Sequence, residues 1–242
     1  MKAIFRREFG AYFKSPIGYI FLTAFYAASG VLFGITAVST SSLDGLLYLT
    51  PDMSTMFTLL FYVLMVLIPI LTMRTMSEEM KNKTDQCLLT APINLVSLVV
   101  GKFLAAFCVY AMGVAATFVY AIVLNFFVEV HWLEVMGTIL GLLLIGAAFI
   151  AICMFVSSLT ENQVTAAVSG FAAILVMYLI SSIASIISVN WIANILYELS
   201  VLSRYAYFTY GIFDFSNVLF FISMVVVFLF LTIRVVERRR WS

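Results

Sequence analysis

The residue types that do acid–base or metal chemistry inside a membrane lie outside the cores of this sequence's apolar runs. No Asp, Glu, His or Arg falls deep in a run, although membrane enzymes, proton-coupled carriers and voltage sensors usually keep such groups at mid-bilayer. Lys102 comes nearest, and we expect its long side chain to reach back to the interface. We expect His131, beside Trp132, to anchor a short turn at the membrane surface.

Local motifs provide neither a nucleotide site nor a metal site. Gly101-Lys102 has the ending of a phosphate-binding loop, but Val96 stands at the earlier glycine position and Phe103 replaces the required Ser or Thr. The cysteines lack the paired spacing of zinc or redox sites: they are Cys87, Cys108 and Cys153. We therefore expect no catalytic residue, cofactor or metal here, and any ATP and Mg²⁺ would be bound by a separate chain.

The composition is that of an integral membrane protein. Of the 242 residues, 64% are hydrophobic and 10% are charged, whereas soluble domains are roughly 45–50% apolar. Helices of about 20 apolar residues cross a bilayer, and these runs lack the alternation of barrel strands. We predict an all-α integral membrane protein, a single transmembrane domain over residues 1–242, with six transmembrane helices. They lie at about Ile17 to Ser39, Phe57 to Met73, Leu95 to Val128, Val135 to Leu159, Val164 to Val189 and Val218 to Ile233.

The basic residues fix the expected orientation. With six spans, Arg204 lies on one side of the membrane and the other twelve Lys and Arg residues lie on the opposite side. Loops rich in Lys and Arg stay in the cytoplasm. Both termini and the loop after span two are therefore predicted to be cytoplasmic.

Residues 1–15 have the pattern of an interfacial amphipathic helix. One arc is apolar and the other basic; the apolar residues are Ile4, Phe5, Phe9, Tyr12 and Phe13. Glu8 interrupts the apolar arc. Pro16 cannot continue the preceding hydrogen-bond ladder, so we predict an elbow before the first span.

The cytoplasmic loop over residues 74–94 is the longest polar connection on its side. Met76, Met80 and Leu88 among charged residues favour a short helix over Glu78 to Asp85, suited to a groove of a soluble partner. From these residues alone, a solvated loop that faces water is the favoured interpretation. The other cytoplasmic turn is only four residues long, Thr160 to Gln163.

Two further features concern packing. Residues 190–215 are too polar and too short to span, and their aromatic content predicts short external helices that are interfacial or re-entrant, with an ordinary aromatic belt as the alternative. Four-residue glycine spacing lets helices approach closely within one subunit or between subunits. It occurs at Gly30 and Gly34 and at Gly137 and Gly141.

An ordered set of motifs extends from the end of span two into span three. It runs through Arg74, the pair Glu78 and Glu79, the basic Lys81 and Lys83, Thr84, the turn Leu88-Leu89-Thr90-Ala91-Pro92, and Gly101-Lys102. This order resembles type-2 ABC exporter permeases. The segments Phe5 to Phe9, Ser15 to Phe21 and Glu237 to Trp241 are similar to the gliding-motility and copper-enzyme-maturation branch. Lys83 departs from that branch, which commonly has Gly there.

The resemblance implies the permease subunit of an ATP-binding-cassette exporter in a bacterial cytoplasmic (inner) membrane. Its partners would be an ABC ATPase subunit, a second copy or a homologous permease, and membrane lipid, but no nucleic acid. An accessory protein with a large external domain stays open as a further partner. The implied ATPase-coupling interface comprises Glu78, Glu79, Met80, Lys81, Asn82, Lys83, Thr84 and Asp85. A secondary coupling turn holds Glu161 and Asn162.

The resemblance also implies that spans two and five line the cargo path. Serines in span five suit an amphiphilic, lipid-linked or peptide-like cargo, but they would equally serve as hydrogen bonds between helices. A second class of function stays open: a non-transporting scaffold or mechanical anchor that couples an ATPase to an envelope partner. A membrane enzyme is disfavoured by the absence of ionisable groups at mid-bilayer.

Overall fold

The computed structural model describes residues 2–42, 53–82, 95–126, 132–186, 191, 197–209 and 211–241. Within those ranges the chain forms nine helices of eight residues or more. They are α1 (Lys2–Lys14), α2 (Pro16–Ser42), α3 (Met53–Thr72), α4 (Arg74–Lys81), α5 (Leu95–Asn125), α6 (Trp132–Ser157), α7 (Gln163–Ile186), α8 (Val201–Thr209) and α9 (Phe215–Trp241).

The predicted all-helical fold with six spans is confirmed. Six helices are long and apolar enough to cross a membrane, one in each of the predicted regions. The largest boundary difference is in α9, which extends from Phe215 to Trp241 instead of ending near Ile233. Its final turns carry the C-terminal arginines, whose helix propensity is high, so the helix continues beyond the apolar run.

Helix α6 is the centre of the bundle, in contact with α3, α4, α5, α7, α8 and α9. Small residues let these neighbours approach. A Cβ atom at Gly146 would lie 2.2 Å from the Tyr110 ring, and one at Gly141 would lie 2.8 Å from Phe208 Cβ. A Cβ atom at Gly137 would lie 2.9 Å from the Phe208 carbonyl oxygen. The glycines of α6 therefore allow close packing of α5 and α8 against α6.

The glycine pair in α2 is used differently. A Cβ atom at Gly30 would lie 3.5 Å from the Tyr120 hydroxyl, whereas one at Gly34 would meet no described atom within 4 Å. Gly30 thus faces α5 of the same chain. Gly34 has no close neighbour among the described residues, and a role for it between subunits stays a prediction.

The elbow forms where the proline predicts it. Helix α1 ends at Lys14 and α2 begins at Pro16, the first-turn position that tolerates a proline. The chain turns so tightly that a Cβ atom at Gly18 would lie 2.6 Å from the Tyr12 carbonyl oxygen. Helix α1 then packs along α5, so its apolar arc contacts protein in addition to any lipid.

Helix α8, in the segment predicted to be external, inserts into the bundle. Tyr205 and Phe208 are 1% and 0% exposed, and α8 contacts α3, α6 and α7. The aromatic content predicts that this segment lies at the headgroup layer or in a re-entrant helix, and these two residues lie inside the bundle. Tyr207, Phe213 and Phe215 are exposed and fit that expectation.

Candidate functional site

The candidate site is built around α4, a short helix that continues directly from α3. Met73 between them keeps helical backbone angles, and its N–H donates to the Pro69 carbonyl oxygen at 2.9 Å. Helix α4 therefore begins at Arg74 and ends at Lys81, with Asn82 as its C-cap. The predicted helix over Glu78 to Asp85 was placed four residues too late, because the end of α3 leads straight into the new helix. Lys83, Thr84 and Asp85 lie outside the described residues.

Lys102 of α5 joins this helix to the rest of the protein. Its ammonium group donates to the Thr75 carbonyl oxygen at 2.7 Å and lies 2.7 Å from a Glu79 carboxylate oxygen. The Lys102 side chain is only 3% exposed. We expected Lys102 to reach back to the interface; in the structure its amine is enclosed by protein, because α4 brings a carboxylate and a carbonyl oxygen to it.

Glu8 of α1 completes the cluster. Its carboxylate lies 3.6 Å from Lys102 Nζ and 2.6 Å from Arg7, whose guanidinium also lies 3.6 Å from Glu79. The hydrogen bond with Glu8 raises the pKa of the Arg7 guanidinium. The residue that interrupts the apolar arc of α1 is thus an ionic contact to α5. Glu8, Glu79, Lys102 and Arg7 form what we call the Lys102 cluster.

Helix α4 is also fastened to α6 and α7. Ser157 Oγ donates to the Met73 carbonyl oxygen at 3.1 Å and accepts from the Ser77 N–H at 3.3 Å. Arg74 Nε donates to Gln163 Oε1 at 3.2 Å. Gln163 directly follows the turn that holds Glu161 and Asn162, so α4 and the predicted secondary coupling turn are linked by a side-chain hydrogen bond.

A fifth element reaches α4 from the C-terminal end of the chain. The Arg239 guanidinium of α9 contacts Met80 Sδ. Met80 is 9% exposed and belongs to the core cluster, so its side chain seats α4 on its own bundle. The Glu79 side chain also points inward, at 19% exposure.

The remaining surface of α4 is small and charged. Lys81 and Asn82 are exposed and Glu78 is half-buried. Glu78 also lines an open cavity of about 180 Å³ between α1, α4 and α5, together with Tyr12, Arg74 and Lys102. The predicted interface residues thus divide into an inward pair, Glu79 and Met80, and an outward set at the tip of α4. Their coupling role stays a prediction.

This arrangement suits transmission of force. A short helix with an exposed tip is held by ion pairs and hydrogen bonds to α1, α5, α6 and α7 and by a side-chain contact to α9. Displacement of its tip would therefore act on several spans together. The sequence had singled out the helix and Lys102, but not Glu8, Ser157, Gln163 or Arg239 as their partners. A lysine inside an apolar run needs a carboxylate partner if it is buried. Lys102 could therefore have pointed to Glu8 on the apolar arc of α1.

Comparison with known proteins decides the family. A sequence profile of the ABC-2 family transporter proteins matches residues 13–181, more than half of the chain. The chain belongs to this family. No curated protein matches it significantly. The matched range contains α4, Lys102 and the turn with Glu161, whereas Arg7, Glu8 and Arg239 of the site lie outside it. ABC-2 permeases usually work with an ABC ATPase subunit. The finer likeness to the gliding-motility and copper-enzyme-maturation branch stays a prediction.

Proposed function

We propose that this ABC-2 protein is the membrane subunit of an exporter that moves an amphiphilic, lipid-linked or peptide-like cargo outward. A separate ATPase subunit binds ATP and Mg²⁺ and hydrolyses the ATP, and this chain binds neither. The observation that carries the proposal is the placement of α4. It presents a small charged tip, and its other contacts tie it to five further helices.

Helix α4 couples the two subunits as follows. ATP binding draws two ATPase subunits together, and their movement displaces the docked α4 helices. Because α4 continues α3 and is bonded to α7 through Arg74 and Gln163, the displacement acts on spans two and five together. A ligand-driven change of this kind needs two arrangements of the bundle that the nucleotide biases.

A second permease copy completes the path. Only 18% of the α7 span and 17% of the α9 span are buried in one protomer, which leaves faces for lipid and for a partner. Spans two and five meet on an exposed side through the Tyr62 and Tyr178 hydroxyls, 3.4 Å apart. This pair supplies a polar point among the apolar side chains of the two spans, which suits a cargo with both polar and apolar parts.

Orientation follows from the charges. Arg7, Arg74, Lys102 and Arg239 gather around α4 at one end of the bundle, and clusters of basic residues remain on the cytoplasmic side. The permease therefore lies in a bacterial cytoplasmic membrane with α4 on the cytoplasmic side, where the ATPase docks. Both termini of the chain lie on that same side.

The direct test is reconstitution. The permease and its ATPase are placed in liposomes that contain a fluorescent short-chain phospholipid as the amphiphilic probe, and probe movement is followed with ATP and with a non-hydrolysable analogue. We expect ATP-dependent movement away from the ATPase side. Hydrolysis that responds to the permease without moving this probe or a lipid-linked peptide would favour the mechanical scaffold.

A further inference from the structure

Ion pairs attach helix α1 to α4, the proposed coupling helix. The Lys102 cluster takes Arg7 and Glu8 from α1, Glu79 from α4 and Lys102 from α5, with two positive and two negative groups. Lys102 lies within 4 Å of both carboxylates, at 2.7 Å from Glu79 and 3.6 Å from Glu8. Its positive charge offsets the repulsion between these two carboxylates, which come from different helices.

Lys102 is also the one charged side chain that the described part of the chain buries almost completely. Removing one partner of a buried ion pair leaves the other charges uncompensated in a poorly solvated place. Without the amine, Glu8 and Glu79 lose the buried cation that lies between them, and the other cation of the cluster, Arg7, has a side chain that is 54% exposed. The expected result is separation of α1 from α4.

The other contacts of α1 are apolar or weak. Ile4 rests on Gly101, where a Cβ atom would lie 3.1 Å from Ile4 Cγ2, and the Tyr12 hydroxyl donates to the Leu71 carbonyl oxygen at 3.4 Å. These contacts hold α1 against α5 and the end of α3. They do not reach α4, so the described link between α1 and α4 runs through the Lys102 cluster.

We propose that Lys102 is a positioning residue that locks the elbow helix α1 to the coupling helix α4, so that both move as one body when the ATPase displaces α4. The elbow helix is then a moving part of the transporter as well as a membrane anchor. The coupling half of this inference rests on the proposed function, whereas the lock itself is a property of the isolated permease.

The first test measures the lock without the ATPase. Cysteines replace Ala11 and Glu78, which line the cavity between α1 and α4, in a chain whose native cysteines are replaced, and a short bis-maleimide cross-links them in detergent. We expect Lys102→Met to lower the cross-linking rate on the order of tenfold, because it breaks a buried ion pair. Lys102→Arg, which keeps the charge, should restore most of the rate.

Two comparisons make the test specific. Lys102→Met combined with Glu79→Gln removes one charge of each sign and should cross-link faster than Lys102→Met alone. Arg234→Met removes a cation from an exposed ion pair with Glu237 on α9 and should leave the rate unchanged. Equal cross-linking of Lys102→Met and the unmodified protein, or failure of Lys102→Arg to restore it, would overturn the lock.

The second test measures coupling in the complex with the ATPase. Lys102→Met should lower the amount of cargo moved per ATP hydrolysed several-fold, and a merely structural defect would lower the amount of complex without changing that ratio. Loss of the lock with an unchanged ratio would overturn the coupling half. If the unmodified complex moves no cargo, the proposed function fails, and the cross-linking result still decides the lock.

Discussion

Tyr205 in α8 donates its hydroxyl hydrogen to the carbonyl oxygen of Phe57 in α3, 3.2 Å away, although 148 positions separate them in the chain. The Tyr205 ring also stacks on Phe61 at 5.8 Å between centroids. The segment before the last span is thus tied to the span that leads into α4. Both ends of α3 therefore contact elements outside the six spans.

Replacing Tyr205 with Phe should destabilise the protein by about 1 kcal/mol, because it removes one buried hydrogen bond and keeps the ring. Thermal unfolding in detergent measures the change. Tyr207→Phe is the matched control, since Tyr207 is exposed in the same helix and should unfold as the unmodified protein does. Equal melting temperatures for all three proteins would argue against insertion of α8 into the bundle.

The two glycine motifs should respond differently to alanine. Gly141→Ala forces a methyl group to within 2.8 Å of Phe208, and overpacking of this kind typically costs about 1–3 kcal/mol. Gly34→Ala should leave the stability of the protomer unchanged or raise it by up to about 1 kcal/mol, because its Cβ atom meets no described atom within 4 Å and Ala is the better helix former. Thermal unfolding compares the two variants. A more stable Gly141→Ala protein would contradict the close approach of α8 to α6.

The spans and the elbow could be predicted because they depend on local sequence. Run length decides whether a helix crosses the membrane, and Pro16 cannot continue the preceding ladder. The Lys102 cluster could not be predicted in the same way, since its members come from three helices that meet only after packing. The position of α8 could not be predicted either, because a helix rich in aromatic residues can lie inside the bundle or at the membrane interface.

Gly146 shows a further limit of pattern reading. It lies five positions after Gly141, outside the four-residue spacing, yet the Tyr110 ring occupies the space of its missing side chain. Tyr110 then donates to the Leu142 carbonyl oxygen at 2.5 Å. An isolated glycine in an apolar run has no periodic partner that would mark it as a contact.

Membrane topology can be tested by labelling single cysteines with an impermeant thiol reagent in intact cells. Glu198→Cys, at a side chain that is 71% exposed, should react because the proposed orientation places it outside. Asn82→Cys, at the tip of α4, should react only after the membrane is opened. Labelling of Asn82→Cys in intact cells would reverse the orientation and place the coupling helix away from any cytoplasmic ATPase.

The complex should contain two permeases and two ATPase subunits, because one six-span bundle supplies half of the proposed path. Native mass spectrometry of the purified complex gives the stoichiometry, and a differently tagged second copy tests whether the pair is identical. An active complex with a single permease chain would contradict the arrangement. Gly34→Ala can be tested in the same experiment for its effect on pairing of the two copies.

Charge reversal at the tip of α4 tests the proposed docking of the ATPase most directly. Glu78→Lys combined with Lys81→Glu reverses both charges and keeps the net charge of the protein. Exchanging Arg234 and Glu237 in α9, also three residues apart, is the matched control. Glu79 is left unchanged, because its reversal would also break the Lys102 cluster. Glu161→Lys tests the secondary turn and should cause a milder defect.

The deciding measurement is the fraction of ATPase that co-purifies with each variant, together with ATP hydrolysis stimulated by cargo. Like charges brought together at an interface cost several kcal/mol, so the α4 double reversal should lose about nine-tenths or more of the bound ATPase, while the α9 exchange retains it. Normal ATPase binding and stimulation by the α4 reversal, with Glu161→Lys defective, would contradict the central claim and place docking at the turn between α6 and α7.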